Sequence, residues 1–208
     1  MTKTGASDIF QYTQAELDSL CRRDVTLAAA VGRIGMINRR ADGDVFTALI
    51  SGVISQQISS KAAETIKARL VSLCGAITPE RICGLDAASI QKCGTTLRKA
   101  GYIKRIGETV YSGGLDLGAL STMGDDEVIK RLSALPGVGV WTAEMLLIFA
   151  LQRRDVCSYG DLAIRRGMCK LYGLDTLSKE QFNQYKERYS PYGSIASLYL
   201  WELSLCQR

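Results

Sequence analysis

Apolar residues recur along this chain at helical spacing, and nowhere do they alternate for long enough to predict a strand. Val45, Phe46, Leu49, Ile50, Val53 and Ile54 fall on one helix face. Ala62, Ala63, Ile66, Leu70 and Leu73 repeat the pattern, as do Val128, Ile129 and Leu132. Polar and small residues punctuate these stretches. Gly75 suits a helix end, and Thr78-Pro79-Glu80 is a cap followed by a first-turn proline and an acid. Asp86 caps a short helix that Gly94 ends, and Gly113-Gly114 and Gly124 break the chain before the helix leading to Leu135. The pattern predicts an all-α fold with no tandem period and no low-complexity segment.

Composition adds bounds. A chain of 208 residues, 47% apolar and 23% charged, can bury a proper core as one domain or two small lobes. With 26 basic and 21 acidic residues the net charge is +5, which permits nucleic-acid binding without demanding it. Histidine is absent, which removes the commonest general base and most metal sites. Seven cysteines stand at 21, 74, 83, 93, 157, 169 and 206, an odd number with no Cys-x-x-Cys pair. They read as small buried residues of a reducing compartment. No signal-peptide core opens the chain, and the longest apolar run, Met145 to Leu151, is too short to span a bilayer. The expected protein is soluble and cytoplasmic.

Leu135-Pro136-Gly137-Val138-Gly139-Val140-Trp141-Thr142-Ala143 is the segment richest in chemistry. A Pro-Gly-x-Gly turn opening into a helix is either a tight connection or an anion site. In the second case the N–H groups of Gly137, Gly139 and Val140 hold a phosphate, with help from the helix dipole. Carbonyls on the other side of such a turn, those of Ser133, Leu135 and Val138, are candidate donors to a monovalent cation, Na⁺ or K⁺.

Asp161 precedes an apolar-periodic stretch and reads as an N-cap or as an exposed carboxylate able to stabilise an oxocarbenium-like sugar. Glu144 and Asp155 are weaker candidates, Asp155 because it can simply balance Arg153-Arg154. Leu97 is a core residue at a helix start or a wedge for the base stack, beside Arg98 and Lys99 as phosphate contacts. Lys104, Arg105, Arg165, Arg166 and Lys170 extend the basic surface or form solvated faces. Trp141, Met145, Tyr199 and Trp201 are core residues or walls of a pocket for a flat base.

These segments together resemble the helix-hairpin-helix DNA glycosylases, and within them the 3-methyladenine DNA glycosylase II group. The resemblance runs from about Asp44 to Trp201. Ile50 to Ser59 looks like the group's early helix with its Gln-Gln stretch, and Leu135 to Ala143 looks like its hairpin, including Thr142 among the DNA contacts. Val156 to Arg166 looks like the segment whose catalytic aspartate falls on Asp161. Pro191 to Trp201 looks like the C-terminal helix that supplies a pocket tryptophan, and Leu97 falls on the intercalating residue.

The resemblance implies two helical lobes with a DNA-binding cleft between them. One is 44–132. The other is 1–43 plus 133–208, carrying the hairpin and Asp161. It implies a monofunctional enzyme, because Trp141 stands where strand-cutting relatives carry a lysine. It implies no iron–sulfur cluster, no required cofactor and no N-terminal β domain, and action as a monomer on damaged duplex DNA, in the nucleoid or the nucleus. The expected activity is release of 3-methyladenine and 7-methylguanine in base excision repair, with Trp141, Met145 and Trp201 facing the base. The competing readings are a glycosylase of different lesion specificity and a DNA-binding relative without catalysis.

Overall fold

The computed structural model describes residues 9–205. Twelve α-helices occur among them: α1 (Gln14–Arg23), α2 (Val25–Ile34), α3 (Val45–Ser55), α4 (Ser60–Cys74), α5 (Pro79–Cys83), α6 (Ala87–Gln91), α7 (Leu97–Tyr111), α8 (Asp125–Ser133), α9 (Val140–Phe149), α10 (Leu162–Tyr172), α11 (Lys179–Tyr189) and α12 (Gly193–Leu205). The fold is all-α, as the periodicity predicts. The β pairing described is a single bridge between Ile9 and Arg40. The predicted caps are in place: Thr78 accepts from Arg81 N–H at 3.3 Å and Asp86 from Ser89 N–H at 2.7 Å, and Asp44 adds a cap at α3, accepting from Thr47 N–H at 2.8 Å. The pattern missed a 3-10 turn at Ala119–Thr122 and extends α6 too far, since that helix stops at Gln91, short of Gly94.

The chain divides into two compact units: Asp42–Leu146, and the described residues of Met1–Ala41 with those of Leu147–Arg208. In the first unit α7 packs on α5 so closely that a Cβ at Gly107 would lie 2.5 Å from the Ile82 side chain. Residues 133–146 lie in this unit, whereas the resemblance implies that they belong to the other lobe. The reason is a set of contacts between distant parts of the chain. Gln56 Nε2 at the end of α3 donates to the Gly137 carbonyl at 2.8 Å, the Tyr102 ring underlies Gly137, and the Thr142 methyl meets α3 at Gly52.

In the second unit α10 and α12 cross at Gly167, where a Cβ would lie 1.9 Å from the Leu200 carbonyl oxygen. No other residue lets two backbones approach this closely. Asp24, buried at the start of α2, accepts from Leu27 N–H at 2.8 Å and from the Tyr172 hydroxyl at 2.6 Å. Tyr172 in turn meets Tyr189 at 2.9 Å. Burial pushes both phenols well above their ordinary range, so this polar core stays a donor network at any ordinary pH.

Candidate active site and nucleic-acid interface

Asp161 is the N-cap of α10. Its Oδ1 accepts from Ala163 N–H at 2.8 Å and Ile164 N–H at 2.9 Å, and the residue is only 7% exposed. The cap geometry fixes the carboxylate against a helix N-terminus, where the dipole favours negative charge. A cap and a reacting group are therefore compatible here: the same two amide bonds that begin the helix orient the oxygen atoms. Asp155 has a structural task of its own. It accepts from Ser190 Oγ at 2.5 Å and Gly193 N–H at 3.0 Å, holding the start of α12, while Arg154 pairs with Glu16 at 3.4 Å.

The hairpin joins α8 to α9. Its two glycines have different reasons to be glycine. Gly137 has φ 79°, and a Cβ there would strike the Tyr102 ring at 2.3 Å. A Cβ at Gly139 would meet nothing within 4 Å. Gly139 is the N-cap of α9, its carbonyl accepting from Ala143 N–H at 3.0 Å, and it brings no side chain to the first-turn amides. Val140 and Trp141 follow, 55% and 44% exposed. Val138 is buried, and its N–H donates to the Leu135 carbonyl at 3.2 Å, closing the turn. Thr142 is buried against α3, so its side chain packs helices rather than facing a ligand. Among the described residues no cluster of three His, Cys, Asp or Glu side chains could hold a metal ion. Cys206 lies outside the described residues.

The first turn of α7 splits its three candidate residues. Leu97 is 58% exposed, which rules out the core reading. Arg98 is exposed, its guanidinium 5.6 Å from the Tyr102 ring centroid, beside a groove of about 430 Å³ that Gln57 and Thr96 also line. Lys99 departs from the expected phosphate contact. Its Nζ donates to the carbonyls of Ile54 at 2.8 Å and Gln56 at 2.5 Å, so the ammonium closes the C-terminus of α3. Burial lowers its pKa from the ordinary lysine value. Lys104 is similarly held by the Cys83 carbonyl at 2.6 Å and Glu108 at 3.0 Å, and Lys170 by the Ser204 carbonyl at 2.7 Å.

Trp201 on α12 stacks on Phe149, with ring centroids 5.4 Å apart and planes 26° apart. The Arg39 guanidinium lies over the Trp201 ring at 5.8 Å and pairs with Glu202 at 3.8 Å. Tyr199 belongs to the core: it is fully buried and donates to the Gly35 carbonyl at 2.9 Å. Sequence reasoning assigned no role to Gln56, Tyr102, Arg39 or Phe149. Their partners lie far away in the chain, and only the fold supplies the signal.

Residues 50–191 match the family described as HhH-GPD superfamily base excision DNA repair protein. The chain belongs to that superfamily. It is 37% identical to DNA-3-methyladenine glycosylase 1 of Schizosaccharomyces pombe over 75% of this chain and 71% of that protein. It is 34% identical to the DNA-3-methyladenine glycosylase of Saccharomyces cerevisiae over 77% and 67% of the two chains. The crystal structure of a DNA-3-methyladenine glycosidase from Bacillus halodurans superposes with a TM-score of 0.85 at 32% identity, covering 96% of this chain and 93% of that one. The Schizosaccharomyces pombe 3-methyladenine DNA glycosylase in complex with abasic DNA gives 0.79 at 33% identity, covering 91% and 96%. As an HhH-GPD protein the chain acts in base excision repair of DNA, and among the described residues no helix is long and apolar enough to cross a membrane.

Proposed function

We propose that this HhH-GPD protein is a monofunctional DNA glycosylase that hydrolyses the N-glycosidic bond of alkylated purines, 3-methyladenine and 7-methylguanine, in duplex DNA. The observation that carries the reading is the buried, doubly amide-bonded carboxylate of Asp161 in a chain similar over most of its length to enzymes named for 3-methyladenine. An alkylated purine bears a fixed positive charge. When the C1′–N bond breaks, the electron pair leaves with the base, which departs neutral and needs little protonation. Asp161 stabilises the positive sugar that remains, and water adds at C1′ and gives up a proton. A histidine-free chain can perform this chemistry because the leaving group needs no strong acid.

Other residues serve recognition. The amides of Gly137, Gly139 and Val140 receive a backbone phosphate, and the open space at Gly139 supports this approach. The carbonyls of Ser133, Leu135 and Val138 are uncharged hard oxygen donors suited to Na⁺ or K⁺. That ion would add positive charge beside the same phosphate. Leu97, with its exposed side chain, enters the base stack, and Arg98 meets a phosphate. Trp201, Trp141 and Met145 contact the extruded base. Trp141 in place of a lysine leaves no amine for a Schiff base, so no strand cleavage accompanies base release.

The test is chromatographic identification of bases released from methylated DNA by the wild type and by Asp161→Asn. The wild type is expected to release methylated purines, and the variant to lose on the order of a hundredfold or more in rate while still binding DNA. Borohydride is expected to trap no covalent protein–DNA adduct. A wild type that releases nothing from a panel of damaged duplexes ends the catalytic reading, and a trapped adduct ends the monofunctional one.

A further inference from the structure

Helix α12 is mostly apolar, yet it buries two serines, Ser194 and Ser197, completely. A buried hydroxyl needs partners, and a serine inside a helix usually finds one in its own preceding turn. Ser197 does so in part, its Oγ lying 2.8 Å from the Gly193 carbonyl. Both serines also reach out of the helix, and both reach the same short segment. Ser194 Oγ donates to the Arg153 carbonyl at 2.6 Å and accepts from Val156 N–H at 3.0 Å. Ser197 Oγ lies 3.0 Å from the Val156 carbonyl and shares its proton between that oxygen and Gly193. The backbone N–H of Ser194 adds a bond to the Arg154 carbonyl at 2.9 Å.

The segment held in this way is the one that delivers Asp161. Residues 151–160, between α9 and α10, form neither helix nor strand, so no regular ladder of hydrogen bonds fixes them. Irregular connections are ordinarily exposed and mobile. Here Val156, Cys157 and Ser158 are buried, and Asp161 N–H closes onto the Ser158 carbonyl at 3.3 Å. Beyond Asp161, α10 is seated on the same helix, where Gly167 meets the Leu200 carbonyl. Ser194, Ser197 and Leu200 follow at a spacing of three, along one side of α12. Asp161 therefore stands between two attachments to one helix.

We infer that Ser194 and Ser197 are positioning residues for the Asp161 carboxylate. This deepens the glycosylase reading and rests on Asp161 being the reacting carboxylate. The cap bonds orient Asp161 relative to α10, and the serines fix the chain that enters that cap. They act through the Val156 backbone. A misplacement of about 1 Å at a reacting group can cost up to about a hundredfold in rate, so loosening this segment slows base release without weakening DNA binding.

The experiment measures base release under single turnover, at saturating protein, from duplex carrying 7-methylguanine. Wild type, Ser194→Ala, Ser197→Ala, Asp161→Asn and the two serine–aspartate double variants are compared at a temperature where circular dichroism shows each fully folded. Kd is read on a duplex whose 7-methylguanine is stabilised by a 2′-fluorine. Ser194→Ala is expected to lower the rate about tenfold and Ser197→Ala about threefold, each leaving Kd within about twofold. In the Asp161→Asn background the same changes are expected to lower the remaining rate by less than about twofold, because the charge they position is gone. Equal losses in both backgrounds are what a merely structural role predicts, and they overturn the inference. If Ser194→Ala does not fold, Ser197→Ala carries the same cycle. Base release by the wild type with undiminished rates in the serine variants ends this inference and leaves the glycosylase reading standing. A wild type that releases no base ends both.

Discussion

Helices α9 and α10 both begin directly after a tight turn, yet their first turns are electrostatic opposites. At α10 the chain supplies its own acceptor: Asp161 Oδ1 takes the amides of Ala163 and Ile164. At α9 the N-cap is Gly139, which has no side chain and open space where a Cβ would be. The positive end of one helix dipole fixes a carboxylate of the protein. The positive end of the other has no side-chain acceptor at its N-cap, which is what the proposed phosphate contact requires. Of the nine other helices whose N-caps are described, eight carry an Asp, Ser or Thr cap bonded to the first-turn amides, as Thr13, Ser59 and Ser178 do, and α8 alone also starts on a glycine, Gly124. In the proposed reading one helix start orients the reacting carboxylate and the other receives the DNA backbone.

The sharpest way to break this comparison is to separate the two duties of Asp161. Asparagine caps a helix about as well as aspartate, and alanine does not. Asp161→Asn and Asp161→Ala are both expected to lose about a hundredfold or more in base release. Only the alanine variant is expected to lose about 1 kcal/mol of stability, read from its denaturant midpoint. Asparagine activity within tenfold of wild type would reduce Asp161 to a cap.

The hairpin glycines test the other helix start. Gly137→Ala places a Cβ into Tyr102 at a φ of 79° and is expected to cost roughly 3 kcal/mol in stability. Gly139→Ala meets no protein atom within 4 Å and is expected to cost less than about 1 kcal/mol. Yet Gly139→Ala should weaken duplex binding by roughly tenfold, because its methyl group stands where the phosphate approaches. Equal affinity of Gly139→Ala and wild type for duplex DNA would show that nothing docks there.

Sequence reached the helices and their caps because these are local. Thr78 and Asp86 bond amides three residues ahead, so the signal lies within one turn. Asp161 was legible as a cap for the same reason; a reacting carboxylate was the residues' other alternative, and the resemblance favoured it. The division of the chain was less legible. A Gln56 side chain reaching Gly137 and a Tyr102 ring under it hold the hairpin to the central unit, and no periodicity encodes contacts across such separations. The basic residues were least legible, since a sequence does not show whether a cation meets solvent, a phosphate or a backbone carbonyl. Lys99, Lys104 and Lys170 all turn to backbone carbonyls.

Leu97 carries the next expected effect. At 58% exposure its side chain supports little of the core, so Leu97→Ala should change stability by less than about 0.5 kcal/mol. Base release from duplex should nevertheless fall roughly fivefold more than release from single strands, where there is no stack to enter. Losses of the same size on both substrates would remove the wedge.

The smallest effects on binding separate Arg98 from Lys99, adjacent cations that line one groove with different partners. Arg98→Ala is expected to leave stability within about 0.5 kcal/mol, weaken duplex binding by a few-fold and lower the salt dependence of binding by about one phosphate contact. Lys99→Met removes two hydrogen bonds from the end of α3 and strands the Ile54 and Gln56 carbonyls. It is expected to cost roughly 1–3 kcal/mol in stability and to leave the salt slope unchanged. The slope is the deciding measurement, because it counts phosphates and is insensitive to a modest loss of folding free energy while the protein remains folded. If Lys99→Met lowers it as far as Arg98→Ala does, then Lys99 leaves the α3 carbonyls for DNA. The C-terminus of α3 would then be uncapped in the complex, and the first turn of α7 would act as a single cationic surface.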